Sequence, residues 1–302
     1  MRNICLYARG RNEVFIVEMK ESAEVYLYLN GLTTSKDIQL HKDVILSPIS
    51  APLQRKKVSE LIENDIEYAA TIICGSTIAS QLRIHPHIDN EEELAIAAWN
   101  AVWDCILLGA ILQCEVMANL QCDKPVEDLE MAQYLYVTNK ALHAVYSEPY
   151  QLTPDDEEWI NLHYEKAHDL LGKDQFLTAV HAMASYKWHS MPRVQLAILW
   201  SGIESLFEAS TEVSFRISLY IANFLAGDDA AEAKRLFERT RKLYESRSKA
   251  VHGGKIKGEL DDLISESAML LNRLIRRCAE IGALPDTRKL VFPSGFLNQS
   301  EE

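Results

Sequence analysis

The sequence predicts a mainly α protein whose N-terminal region is α+β, and three observations predict it. Short β-prone runs are confined to the first fifty residues. Apolar residues at helical spacing take over from about Pro52. From Thr153 onward that periodicity is cut by Gly and Pro into helix-sized pieces.

In chain order, residues 4–8 and 14–17 are β-prone and flank Arg9-Gly10-Arg11-Asn12, a hairpin turn. Residues 25–29 follow and close at Asn30-Gly31, and residues 44–46 lead into Ser47-Pro48. A small β-meander is expected. Residues 53–83 and 91–121 each read as one long helix, separated by the breaker His85-Pro86. A third helix is expected over 126–146. A domain boundary falls at Tyr150-Gln151-Leu152, after which Thr153-Pro154-Asp155-Asp156 supplies an N-cap, a first-turn proline and two carboxylates suited to a helix N-terminus.

The second half reads as helices over 154–171, 174–189, 192–209, 213–226, 229–252 and 259–281. Gly172, Pro192, Gly227 and Gly253-Gly254 mark the breaks. The last helix has the cleanest stripe: Leu260, Leu263, Ile264, Ser267, Leu271, Leu274, Ile275 and Cys278 share one face, with Arg273, Arg276 and Arg277 near its end. A bundle follows. The expected organisation is an N-terminal region over 1–150, a helical domain over 151–284 and a loosely ordered tail over 285–302.

Apolar residues make up 48% of the 302 and charged residues 25%, values of a globular chain. A net charge of −13 argues against a protein that coats nucleic acid over its whole surface, and leaves room for a local basic site. Charge returns at Arg9 before a leader core could form. The most apolar region, residues 94–120, is interrupted by Asp104 and Glu115, which favours a packed interior helix over a membrane span. Cys5, Cys74, Cys105, Cys114, Cys122 and Cys278 form no CxxC pair. Reduced thiols in a cytoplasmic protein, with no membrane association, are expected.

Two segments carry the candidate chemistry. In LAILWSGIESLF, Leu196, Leu199, Trp200, Ile203 and Phe207 line one helical face and Glu204 falls beside it. A carboxylate there is either an ordinary boundary residue or the partner of Arg216 or Arg247. The second segment is LYESRSKAVHGG, residues 243–254, containing Arg247, Ser248 and His252. RNA strand cleavage needs a group titrating near neutrality and a cation for the charge developing on phosphorus; histidine and arginine meet those needs. Arg247 and His252 lie about 140° apart on a straight helix, so a distorted helix end or a two-fold pairing of protomers would be needed to bring them together. His252 also fits a plain helix-end role favoured by the dipole.

Between Glu232 and Gly258, nine cations face three carboxylates. Lys234, Arg235, Arg239, Lys249, Lys255 and Lys257 are the candidate RNA contacts, against the plainer reading of a solvated mixed-charge face. His85-Pro86-His87 with Asp89 and residues 91–93 lacks a metal-ligand spacing, and no GxxxxGK[ST], GxGxxG or GxSxG occurs. No metal or cofactor is expected.

Together the two segments resemble the Apea-like branch of the HEPN family, which pairs an "LW…GIESLF" helix with a later "YxxRSKxVHG" helix. The resemblance covers residues 151–284. It implies a HEPN-type helical bundle and a metal-independent endoribonuclease acting as a homodimer, as in many toxins and antiviral defence effectors. The subunits' Arg247 and His252 would then share a cleft, supported by Ser248 and Glu204. Ser248 departs from the Asn, Asp or His that many members carry after the arginine; a hydroxyl can still orient a phosphate. The alternatives are a catalytically inactive HEPN module that binds RNA or a protein partner, and a structural adaptor using the acidic N-terminal half. That N-terminal region is also the expected docking place for a protein regulator or antitoxin.

Overall fold

The computed structural model describes residues 2–7, 14–19, 24–85, 91–138, 147–207, 213–251 and 259–291. The chain is mainly α with an antiparallel sheet, and it divides into two compact units. Residues 1–108 and 114–164 form the first, and residues 109–113 and 165–302 the second.

In the first unit, β1 (Arg2–Tyr7) and β2 (Val14–Met19) pair antiparallel, as expected of two β-prone runs; the turn expected over Arg9–Asn12 lies outside the described residues. The six-stranded sheet is built from β3 (Val25–Asn30), β5 (Ile38–His41), β6 (Val44–Pro48), β7 (Ile78–Ile84), β8 (Met117–Cys122) and β9 (Leu135–Val137). Their order is β5-β6-β7-β3-β8-β9. β4 (Leu32–Thr33) pairs in parallel with β10 (Tyr150–Gln151).

This sheet is not the consecutive meander expected. β3 sits centrally between β7 and β8, strands that come from segments expected to be helical. Residues 53–83 divide into α1 (Arg55–Leu61), α2 (Asp65–Gly75) and β7. The break occurs because Ile62 turns extended and the Asn64 side chain caps α2, accepting from the Ile66 and Glu67 amides at 2.9 and 3.1 Å. The helix expected over 91–121 is α3 (Glu91–Leu112), ended by Gln113 in the left-handed region at φ 57°. β8 follows. Residues 126–146 contain a 3-10 segment, Val126–Met131, and then β9; residues 139–146 lie outside the described residues.

All six residues of β3 are buried, so both faces of the sheet are covered at its centre. One face packs Tyr26 and Tyr28 with Val58 and Ile62 and with Val126, Leu129 and Leu135. The Tyr28 hydroxyl donates to the Lys124 carbonyl at 2.7 Å. Among the described residues α3 is the one helix long and apolar enough to cross a membrane, yet 61% of its most apolar window is buried inside the fold. Its Asp104 is buried too, accepting from the Tyr164 hydroxyl at 2.9 Å, with His41 Nε2 at 3.3 Å from the same carboxylate. Burial raises the thiol of Cys122 to about 11 and that of Cys278 to about 12.

The second half follows the expected punctuation closely. α4 (Pro154–Leu170), α5 (Asp174–Ser185), α6 (Pro192–Ser205), α7 (Val213–Ala226), α8 (Ala230–Val251) and α9 (Leu260–Ile281) stand where the sequence places helices. Thr153 and Asp156 form a reciprocal cap: the Asp156 amide donates to the threonine hydroxyl, and the Thr153 amide and hydroxyl donate to the carboxylate. α6 packs against α5 and α9, and α7 against α8. Trp200, Ile203, Leu271, Leu274, Ile275 and Cys278 are fully buried there. The tail residues 292–302 lie outside the described residues.

Candidate functional site

α8 begins on Asp229, whose carboxylate accepts from the Ala231 and Glu232 amides, both at 3.0 Å. It then runs 22 residues without Gly or Pro. Leu236, Thr240, Leu243 and Ala250 bury one side, and Lys234, Arg235, Glu238, Arg239, Arg241, Lys242, Glu245 and Lys249 are exposed. Arg247 lies on the packed side, with 17% of its side chain exposed.

That placement decides which arginine Glu204 meets. Arg247 Nη2 lies 3.3 Å from Glu204 Oε1, whereas Arg216 is exposed on α7. The geometry is that of an ion pair rather than a hydrogen bond: Glu204 Oε1 and Arg247 Nε are both buried without a hydrogen-bond partner. The guanidinium also lies over the Tyr244 ring, with its central carbon 5.5 Å from the ring centre. Tyr244 in turn meets Trp200 edge-on, at 5.1 Å and 88°. The Trp200 indole nitrogen donates to Ser267 Oγ at 3.0 Å, and that hydroxyl donates to the Leu263 carbonyl at 2.7 Å. A stack therefore runs from α9 through α6 to α8 and fixes the guanidinium plane. Burial, and after it the Glu204 charge, raises the Tyr244 hydroxyl above its ordinary range.

Ser248 is half-buried, one residue past Arg247. Arg193, in the first turn of α6, donates to the Ala250 carbonyl at 2.7 Å, placing a second guanidinium at the last turn of α8 where a cation complements the dipole. His252, Lys255 and Lys257 lie outside the described residues. The remaining candidate cations differ among themselves. Arg235 makes a bidentate pair with Glu232, both contacts at 2.7 Å, and this holds the carboxyl below its usual range. Arg239 pairs with Glu266. Lys234 and Lys249 are exposed and bear no carboxylate partner among the described residues.

No family model, curated protein or solved structure matches the chain. The site therefore stands on its own geometry. It offers an oriented guanidinium with a carboxylate beside it, an aromatic face beneath it, and a hydroxyl one residue on. Sequence reasoning does not single out Tyr244 or Arg193. Tyr244 stands three residues before Arg247, the spacing that puts two side chains on one helical face, and that signal is readable. Arg193 carries no local signal, because its partner is a carbonyl on another helix.

Proposed function

We propose that this chain is a metal-independent endoribonuclease of the HEPN type, acting as a homodimer in a toxin or antiviral defence role. The observation that supports it most is the Arg247–Glu204 ion pair, which joins the two helices, α6 and α8, that carry the family resemblance. In this reading the substrate's 2′-oxygen attacks the adjacent phosphorus and gives its proton to a base, while the P–O5′ bond breaks and the departing oxygen takes a proton. His252 serves as base or acid, Arg247 stabilises the charge on the phosphoryl oxygens, and Ser248 orients the phosphate. Glu204 holds the guanidinium until the phosphate competes for it. The products are a 2′,3′-cyclic phosphate and a 5′-hydroxyl.

The test is cleavage of single-stranded RNA by the purified chain in excess EDTA, together with growth arrest on expression. His252→Ala should slow cleavage about 10²–10⁴-fold with affinity nearly intact, the usual contribution of acid–base catalysis. Arg247→Lys keeps the charge and loses the planar fork, so it should bind and not cut. Two variants that both cut at the wild-type rate, or cleavage that requires added Mg²⁺ and leaves a 3′-hydroxyl, would refute the reading. The second reading, an inactive module that binds RNA, is favoured by one observation: Glu204 already neutralises Arg247.

A further inference from the structure

The exposed arc of α8 is not uniform. At about 100° per residue, Arg235, Arg239, Lys242, Ser246 and Lys249 fall within about 40° of one line along the helix. Every charged member of that row is a cation. The neighbouring row reads Lys234, Glu238, Arg241, Glu245 and neutralises itself, with Arg241 Nε 3.3 Å from Glu245 Oε1. From Arg235 to Lys249 the cationic row spans about 21 Å. Its first half is partly compensated, since Arg235 pairs with Glu232 and Arg239 with Glu266. Its second half is not: Lys242 and Lys249 are exposed and unpaired with any carboxylate among the described residues. The uncompensated charge thus lies at the end of the helix where Arg247 stands.

We propose that this row is a contact line for the sugar–phosphate backbone of one RNA strand, with Lys242 and Lys249 as its free phosphate contacts. The proposal rests on the RNA reading above and sharpens it, since it adds Lys242 to the expected contacts and removes Lys234. A single strand fits better than a duplex, because one line of cations matches one line of phosphates. The row beside it carries two carboxylates, Glu238 and Glu245, which repel an opposing strand. Ser246, between the two lysines, adds a hydroxyl that can donate to a phosphate oxygen. Contacts of this kind carry no base readout, so the line fixes the path of the strand along α8 without setting the cleavage sequence.

The test measures binding of a fluorescein-labelled oligouridylate to the full chain by anisotropy across a salt series. Four single variants are compared with wild type: Lys242→Ala, Lys249→Ala, Lys234→Ala and Arg241→Ala. All four remove one positive charge from an exposed position of the same helix, so the last two control for net charge and folding. A lysine that neutralises one phosphate of a single strand contributes about 0.7 to the log–log slope, so its removal should flatten the slope by that amount. This flattening is expected for Lys242→Ala and for Lys249→Ala, and about 1.4 for the pair together. Lys234→Ala and Arg241→Ala should keep the wild-type slope.

Equal flattening in all four variants would mean diffuse attraction to the whole arc and would overturn the proposal. So would unchanged slopes at Lys242 and Lys249, no binding by wild type, or an RNA duplex bound more tightly than the strand with the same pattern among the variants. A cleavage assay on the same proteins separates this claim from the enzymatic one. RNA cut at the wild-type rate by variants whose slopes do not change sinks the contact line alone. The expected flattening in a chain that never cuts sinks the nuclease alone.

Discussion

Replacing Gly202 by alanine tests how tightly α6 is held. Glycine in a helix interior costs about 0.5–1 kcal/mol relative to alanine, so on propensity alone Gly202→Ala should stabilise the protein. The packing opposes this. A Cβ at 202 would stand 2.7 Å from Ala182 Cβ, 3.1 Å from Leu271 Cδ2 and 3.3 Å from Ala179 Cα. Leucine can change rotamer, but the two α5 neighbours are a Cβ and a backbone atom, so α5 itself must move. Overpacking of this kind costs about 1–3 kcal/mol. Set against the propensity gain, the net expectation is a loss of up to about 2.5 kcal/mol, or a fall in Tm of up to about 10 °C. Urea and thermal unfolding followed by far-UV circular dichroism measure it. Two glycines serve as controls. Gly227, at φ +58° with nothing within 4 Å, should cost about 1–2 kcal/mol through backbone strain alone. Gly172, which meets only the Asp169 carbonyl at 3.4 Å, should be nearly neutral. A Gly202→Ala protein more stable than wild type by the full propensity gain of about 0.5–1 kcal/mol would refute the close approach of α5 and α6.

Two further outcomes follow from polar groups in the first unit. Tyr164→Phe removes a hydroxyl that donates to the buried Asp104 carboxylate, and should cost about 1–3 kcal/mol in urea unfolding; a neutral result would mean that the carboxylate finds another donor. Burial pushes the Glu24 carboxyl up, but hydrogen bonds from Arg83 and Tyr26 outweigh it and hold the pKa below the ordinary range. A depressed carboxyl stabilises the fold above its unfolded pKa and loses that contribution as pH falls through the folded one. The stability gap between wild type and Arg83→Met should therefore be constant above about pH 5 and close below about pH 4, and a gap that widens on acidification would contradict it.

The second half is legible in the sequence because its helices are amphipathic and punctuated. α9 shows this best: Ser267 interrupts its apolar stripe, and that serine is the acceptor of the buried Trp200 indole. The first half misleads where a strand is covered on both faces. A strand buried on one side alternates apolar and polar residues, but one buried on both loses the alternation and can pass for helix. β8, MANLQC, is buried at every position, and its polar Asn119 and Gln121 face the interior. β7, IASQLRI, does alternate from Gln81 to Ile84, but the alternation is short and follows residues that are helical. At the site, Glu204 is readable as a carboxylate in need of a partner, but the choice between Arg216 and Arg247 depends on how α6 lies on α8, which no local pattern encodes.

The end of α3 has a practical consequence for anyone who dissects this chain. Its last turn, residues 109–113, belongs to the second unit, where the Asn272 amide on α9 donates to the Ala110 carbonyl at 2.8 Å and the Ile111 carbonyl at 2.7 Å. Those carbonyls are among the four that a helix leaves open at its C-terminus, and here a single side chain closes two of them. An expression fragment starting at residue 151 would discard both acceptors. Water would then take the place of the two carbonyls at the uncovered Asn272 amide, and the loss of two internal hydrogen bonds, about 0.5–1.5 kcal/mol each, would pass for intrinsic instability of the bundle. A fragment meant to report on α5 to α9 has to carry this turn with it.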